Sequence, residues 1–325
     1  MWAPYSPVPV ASDVFDGYPP KPPKITNSRL SLYTACMHLA QAVIVLALIF
    51  RLNSQDDTAN AGNFPLGKNV RVLTPGKTNS TNSASYNSFI GNYTLTYERV
   101  DAGHLDVRYA IAGFFVLSAF FQGSASLLSP PMWFDTIAAQ WNYIEYSISA
   151  SVMMLCIAVE AGITDIYVLV CMFALIFATQ MLGLVADLLS TLSENAQFPQ
   201  DDIVLYTLGR WCWLVPHLVG WVTCVVAYAP VIDAFLMSTS YSTAAKVPDF
   251  VTGLIMAEMV LFICFGFVQA YWLFYKTMIL QSSRNVCEDL RALQAKVERM
   301  FIILSLSAKT VLAWVILSPI IAALK

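Results

Sequence analysis

Hydrophobic residues in this chain are gathered into long runs rather than spread at amphipathic spacing. Seven such runs are visible, at about 31–50, 109–128, 136–159, 163–186, 203–229, 250–275 and 300–322. At ~1.5 Å of rise per residue each is long enough to cross a bilayer core of ~30 Å as a helix. Only helices and closed barrels satisfy their backbone inside lipid, so the pattern predicts an all-α membrane protein: a seven-transmembrane helix bundle. Between the first two runs lies a long polar loop, residues 51–108. Within it Val70 and Val72, and then Tyr93, Leu95 and Tyr97, alternate with polar neighbours. This period of two predicts a small β-hairpin in the first loop. The segment Gln281–Glu298 is charged and helix-prone, and reads as a helix extension or a connection outside the membrane.

Composition agrees with the pattern. Of 325 residues, 57% are hydrophobic and 12% charged, and the net charge is −3. Such a chain is a polytopic membrane protein with the lipid bilayer as its solvent, and nothing in its charge suggests nucleic acid. Six of the seven cysteines fall in apolar runs, so no disulfide framework or metal spacing is read. Residues 1–30 carry seven of the sixteen prolines and no apolar stretch, which marks an extended lead-in before a membrane domain at 31–325.

Lysine and arginine near the span ends set the orientation. With the N-terminus cytoplasmic, that side holds Lys21, Lys24, Arg29, Arg210, Lys276, Arg284, Arg291, Lys296 and Arg299. The short loops opposite hold only Lys246, with Lys325 at the chain end. The expectation is therefore an N-terminus inside, a C-terminus outside and the 51–108 loop extracellular. Asn79 and Asn92 open N-x-[ST] triplets in that loop, which are glycosylation acceptors only in that topology.

Candidate chemistry begins with Lys309, alone among charges from Arg299 to Lys325. It lies ~15 Å inside the last run. An intramembrane lysine costs several kcal/mol, on the order of ~3 or more, and needs a partner or a task. The covalent task for a buried amine is a Schiff base with a carbonyl ligand; the plain alternative is an ion pair or a wet cavity. Glu145, about ten residues past Asp135, sits at matching depth in the third run and is the natural partner. Ser149 follows it by one turn and Cys156 by three, on one face, and Ser305 precedes Lys309 by one turn.

Other polar groups are distributed around this pair. Thr34, His38 and Gln41 form a stripe on the first helix, with His38 either a packing residue or a proton acceptor. Asp187 closes the fourth run. Glu258 lies inside the sixth run, and Glu160 follows Glu145 by fifteen residues. Glu145, Glu258 and Glu160 together outline a chain of titratable groups, the material of proton paths. Bulky residues such as Tyr146, Met153, Phe262, Phe265 and Trp314 are available to wall a pocket for an elongated apolar ligand.

Two long motifs carry a family resemblance: Ile144-Glu-Tyr-Ser-Ile-Ser-Ala-Ser-Val-Met153, and Glu298 through Trp314 around Ser305 and Lys309. They resemble the third and seventh helices of heliorhodopsins. Arg108–Ser118 looks like the second helix of that family, and Met37-His-Leu-Ala-Gln41 like part of the first. The resemblance implies a light-sensing retinal protein, with all-trans retinal on Lys309, Glu145 as counterion, Ser305 beside the Schiff base and His38 in a cytoplasmic-side polar cavity. It also implies an inverted orientation, a homodimer and a β-bearing first outer loop; a signalling partner, where there is one, is not identified by the sequence. Three positions depart from the family pattern. Gln122 stands where a second cavity histidine is usual, Asn142 where an arginine is usual, and Thr179-Gln-Met-Leu-Gly183 where an asparagine-containing stretch is usual. The sequons fit a eukaryotic or viral member. Light-triggered proton conduction along Glu258 and Glu160 is a second expectation, with His38, Gln122 and Asp187 as further path candidates. The competing class is a non-photochemical seven-helix receptor or carrier in which Lys309–Glu145 is a structural pair. No nucleophile–base set or metal site supports an enzyme.

Overall fold

A computed structural model describes residues 25–54, 62–75, 93–127, 134–195, 207, 209–241, 249–282 and 286–322. The proline-rich lead-in up to residue 24, the sequon asparagines Asn79 and Asn92, Arg284, Lys246 and Lys325 lie outside these residues. The described chain runs α1 (Ile25–Asn53), β1 (Asn63–Pro75), β2 (Tyr93–Asp106), α2 (Val107–Leu127), α3 (Phe134–Glu160), α4 (Ile166–Asn195), α5 (Leu214–Tyr241), α6 (Asp249–Ser282) and α7 (Val286–Ala322). All seven helices are long and apolar enough to span a membrane.

Burial follows from where each helix stands. Within its most apolar window α3 is 61% buried, against 22% for α4 and α5. The helix that carries Glu145 is therefore the most enclosed. Large side chains elsewhere, Phe50, Val215, Val225 and Phe267 among them, point outward. In water such a girdle would be a liability; in lipid it is the expected surface.

Helix ends depart from the hydrophobic runs at several places: α4 and α6 run on to Asn195 and Ser282, past the expected 186 and 275, and three further cases have a physical reason. The first helix begins at Ile25, inside the lead-in expected to reach residue 30, because membrane helices continue past their apolar core. The fifth run was expected at 203–229, yet α5 begins at Leu214 after a turn over Trp211–Trp213 and continues to Tyr241. Trp211 and Trp213 are apolar but lie in the turn, and Asp233 and the serines near the end of α5 hid its continuation. The last helix starts fourteen residues before its apolar run, so the charged segment divides between the end of α6 and a long extension of α7.

The hairpin is longer than alternation alone indicated. β1 pairs antiparallel with β2, from Asn63 opposite Asp106 to Pro75 opposite Tyr93. A register shift at Leu66/Gly67 is absorbed by Gly103, whose φ of 103° suits glycine. The hairpin is tied to the bundle. The Gly67 N–H donates to Thr164 O at 2.8 Å in the α3–α4 turn, and the Val107 N–H donates to Gly62 O at 3.0 Å. Arg108, 3% exposed at the head of α2, pairs with Asp106 at 2.6 Å.

Glycines permit close helix contacts at Gly183, against Gln269, and at Gly266. A Cβ on Gly266 of α6 would stand 2.3 Å from the Trp221 ring of α5. Gly266→Ala should force the indole out of its seat, at a cost of ~1–3 kcal/mol. A clearly lower melting temperature of the detergent-solubilised protein is expected; an unchanged one would mean that the ring has free space to move into.

Candidate functional site

Three helices bring side chains to one nitrogen. Lys309 Nζ of α7 donates to Glu145 Oε1 of α3 at 2.6 Å, to Ser118 Oγ of α2 at 2.5 Å and to Ser305 Oγ of α7 at 3.0 Å. An ammonium has three N–H donors, and here each has an acceptor. Lys309 is 2% exposed and Ser305 1%, while Glu145 and Ser118 are wholly buried. Helix geometry sets part of this directly, since Ser305 and Lys309 are i and i+4 on one face. The rest depends on the depth match between α2, α3 and α7. Ser118 was not singled out from the sequence, because one serine in an apolar helix carries no signal until its neighbours are known. Tyr146 completes the surround, with its ring centroid 5.5 Å from Nζ.

Beyond Tyr146 lies a cavity of about 220 Å³ among α3, α4, α5, α6 and α7. Tyr146, Phe262, Phe265 and Phe301 line its aromatic end. The Tyr146 and Phe265 rings stand 5.7 Å apart, edge to face. The wall also carries polar groups, among them Asn142, Gln180, His217 and Gln269. Of the residues expected to wall a pocket, Tyr146, Phe262 and Phe265 are here. Met153 instead packs in the main core, and Trp314 lines a separate groove with Phe250 and Gly253 between α6 and α7. Ser149 is buried one turn beyond Glu145, and its hydroxyl makes no hydrogen bond to protein.

The remaining titratable candidates fall into separate places. His38 is fully buried against Phe115, ring centroids 5.7 Å apart, and neither ring nitrogen has a protein partner. The Gln122 head, one turn past Ser118, is likewise buried without partners. Thr34 bonds back to its own helix, while Gln41 Nε2 donates to Thr310 Oγ1 at 3.0 Å, joining α1 to α7 beside Lys309. Asp187 is committed elsewhere: its Oδ1 accepts from Trp272 Nε1 at 2.8 Å and lies 3.8 Å from Lys276 Nζ. Glu258 is wholly buried in α6, with neither carboxylate oxygen hydrogen-bonded to protein. Tyr228 of α5, which sequence reading missed, is buried near it with an unpartnered hydroxyl. Glu160 sits half-buried at the hairpin end of α3. Among the described residues no cluster of metal-ligating side chains occurs.

Fold and site define the class: a seven-helix membrane protein with an enclosed lysine paired to a carboxylate. Residues 28–321 match the family model for heliorhodopsin, and the chain belongs to the heliorhodopsin family. It is thus an integral multi-pass photoreceptor of the retinal-binding rhodopsin type. No individually curated protein matches the chain.

Breaking the buried pair by removing one member leaves an uncompensated charge. Glu145→Ala or Ser118→Ala in retinal-free protein should separate cleanly. The first should lose ~3–5 kcal/mol, and the second ~1–3 kcal/mol from one charge-assisted hydrogen bond. Replacing both Lys309 and Glu145 by leucine should recover much of the first loss. Thermal or denaturant unfolding in one detergent measures all three; equal losses for the two alanine variants would contradict the hierarchy.

Proposed function

We propose that Lys309 carries all-trans retinal as a protonated Schiff base, with Glu145 as its counterion, and that the protein reports light through the disturbance of this pair. The observation that carries the reading is the position of Nζ, 2.6 Å from Glu145 Oε1 and facing Tyr146, the residue that also walls the aromatic cavity. The donor set fits the group. It offers an enclosed primary amine, an opposite charge in contact and an apolar aromatic slot leading away from both. Bound there, the chromophore supplies visible absorption and a light-driven change of shape.

The chain's own residues do the rest. A Schiff-base nitrogen keeps one N–H where the ammonium had three, so Glu145, Ser118 and Ser305 become competitors for a single donor. Glu145 holds the proton by charge, and the two serines fix the nitrogen and accept partial load when the pair is disturbed. Tyr146, Phe262 and Phe265 exclude water and hold the slot's shape. Separation of the charges in this low-dielectric setting is costly and drives rearrangement of α3 against α7. His38 and Gln122, buried and without protein partners, stand ready on the α1–α2 side to receive a displaced proton.

Charge distribution at the span ends supports an N-terminus inside and a C-terminus outside. In that orientation Glu258 and Glu160 lie between the pair and the outer water. Glu258 carries the proposal of passive, light-triggered proton conduction, because a membrane-buried carboxylate with no protein partner needs a task. The family resemblance supports a homodimer as the working unit.

Purified protein given all-trans retinal should absorb in the visible, and Lys309→Ala should stay colourless. Glu145→Gln should move the band to longer wavelength or leave the Schiff base deprotonated at neutral pH. A folded wild type that never colours would remove the reading. Under voltage clamp with illumination, a wild-type photocurrent lost in Glu258→Gln is expected; no current, or one unchanged by that substitution, would leave a sensor without conduction.

A further inference from the structure

Two neighbouring helices set a phenol and an acid at one level of the bundle. On α5, Tyr228 follows Cys224 by one turn; on α6, Glu258 precedes Phe262 by one turn. Cys224 and Phe262 both line the cavity. Consecutive spans run in opposite directions, so Tyr228 and Glu258 both lie one turn past the cavity wall, toward the hairpin end. The rings of Tyr228 and Phe262 meet edge to face with centroids 5.5 Å apart, which ties the two levels together. Tyr228 is 4% exposed and Glu258 wholly buried. The Tyr228 hydroxyl lies within electrostatic reach of Glu258, yet neither that hydroxyl nor either carboxylate oxygen is hydrogen-bonded to protein. Further toward the hairpin end, Val251, Leu254 and Ile255 continue the Glu258 face of α6, and Val231 lies on α5; all four are buried. This apolar layer stands between the acid and the surface, so bulk water does not explain how the acid is tolerated. A phenol that donates and a carboxyl group with two oxygens, close together but not in contact, are the partners that hold a buried water.

We propose that Tyr228 holds an internal water against Glu258, and that Glu258 exchanges its proton through this water. This rests on the reading that Glu258 conducts protons on illumination. The Tyr228 O–H donates to the water oxygen, and the water donates one hydrogen to the Glu258 carboxylate. When a proton reaches the water from the cavity side, the hydrogen already pointing at Glu258 passes to the carboxylate and the arriving one takes its place. The carboxylate becomes the acid, the water is restored, and Tyr228 keeps its own hydrogen throughout. Tyr228 is thus a positioning residue that acts on Glu258 through the water.

Tyr228→Phe removes one oxygen and keeps the ring against Phe262. Under voltage clamp with illumination its photocurrent should fall roughly tenfold, the worth of one hydrogen bond to a charged group, while its visible absorption stays that of wild type. Light-minus-dark infrared spectra add a readout that lost packing alone would not move. The carboxyl C=O band that disappears in Glu258→Gln should move to higher frequency in Tyr228→Phe. A wild-type O–H band that shifts in water labelled with heavy oxygen should vanish in both variants. If Tyr228→Phe fails to form pigment, the labelled-water band of wild type and its loss in Glu258→Gln decide the matter, and their absence overturns the inference. A wild-type photocurrent that Glu258→Gln abolishes and Tyr228→Phe leaves unchanged, with the C=O band unmoved, overturns the inference and leaves conduction by Glu258 standing. No wild-type photocurrent, or one that survives Glu258→Gln, removes that reading and the inference with it.

Discussion

An ammonium and a carboxylate in contact at the middle of an apolar bundle constrain everything around them. Neither could be left alone at that depth. Their contact therefore fixes how α3 and α7 slide past one another, and the Ser118 bond adds α2 to the same level. A pair that served only to staple two helices would need one acceptor for the amine. Here three acceptors from three helices converge on it, which defines the nitrogen's position far more closely than stapling requires. A covalent anchor for a rigid ligand needs that definition, because the ligand's far end magnifies any error at its attachment.

The surroundings of the pair are unequal on its two sides. Toward α4, α5 and α6 the space is open but lined, by aromatic rings together with amides and an imidazole. Asp187, Trp272, Lys276 and Thr191 bond one another across α4 and α6, and Trp213, in the turn before α5, donates to Thr277 of α6. Toward α1 and α2 the space is filled by buried polar heads that no protein group satisfies, those of His38 and Gln122. The substitution of glutamine at position 122 matters here. A carboxamide can relay a hydrogen bond but takes no proton at ordinary pH, so proton acceptance on this side falls to His38 alone of the two.

Sequence reading went furthest where burial is expensive. A lysine and a glutamate inside apolar runs are conspicuous because their presence needs explaining, and Ser305 follows from helical spacing alone. The seven spans were legible for the same reason, since backbone in lipid leaves few choices. What was not legible depends on packing between distant segments. Ser118, Tyr228 and Gln269 are ordinary residues in ordinary helices, and only the tertiary neighbours give them meaning. Helix ends failed where hydrophobicity and helicity part company: Trp211 and Trp213 are apolar yet sit in a turn, and the charged start of α7 is polar yet helical. The hairpin's full length was hidden by Pro65 and Gly67, which interrupt the alternation although the strand continues through a bulge.

The carboxylate in α6 separates two outputs that the pair alone does not. Disturbing Lys309–Glu145 changes the charge balance at the bundle centre whatever follows, and a sensor needs no more than that. Conduction needs a second acceptor placed off the α3 face, toward one membrane surface, and able to exchange its proton. Glu258 meets the first two conditions by its place in α6 and its burial. The third turns on its neighbours. Asp187 has bonded neighbours, since it accepts from Trp272 Nε1 at 2.8 Å and lies 3.8 Å from Lys276 Nζ. Glu258 has no such neighbour: neither of its carboxylate oxygens is hydrogen-bonded to protein. Of these two acids, Asp187 of α4 is half-buried and bonded to its neighbours, while Glu258 of α6 is wholly buried with no hydrogen bond to protein.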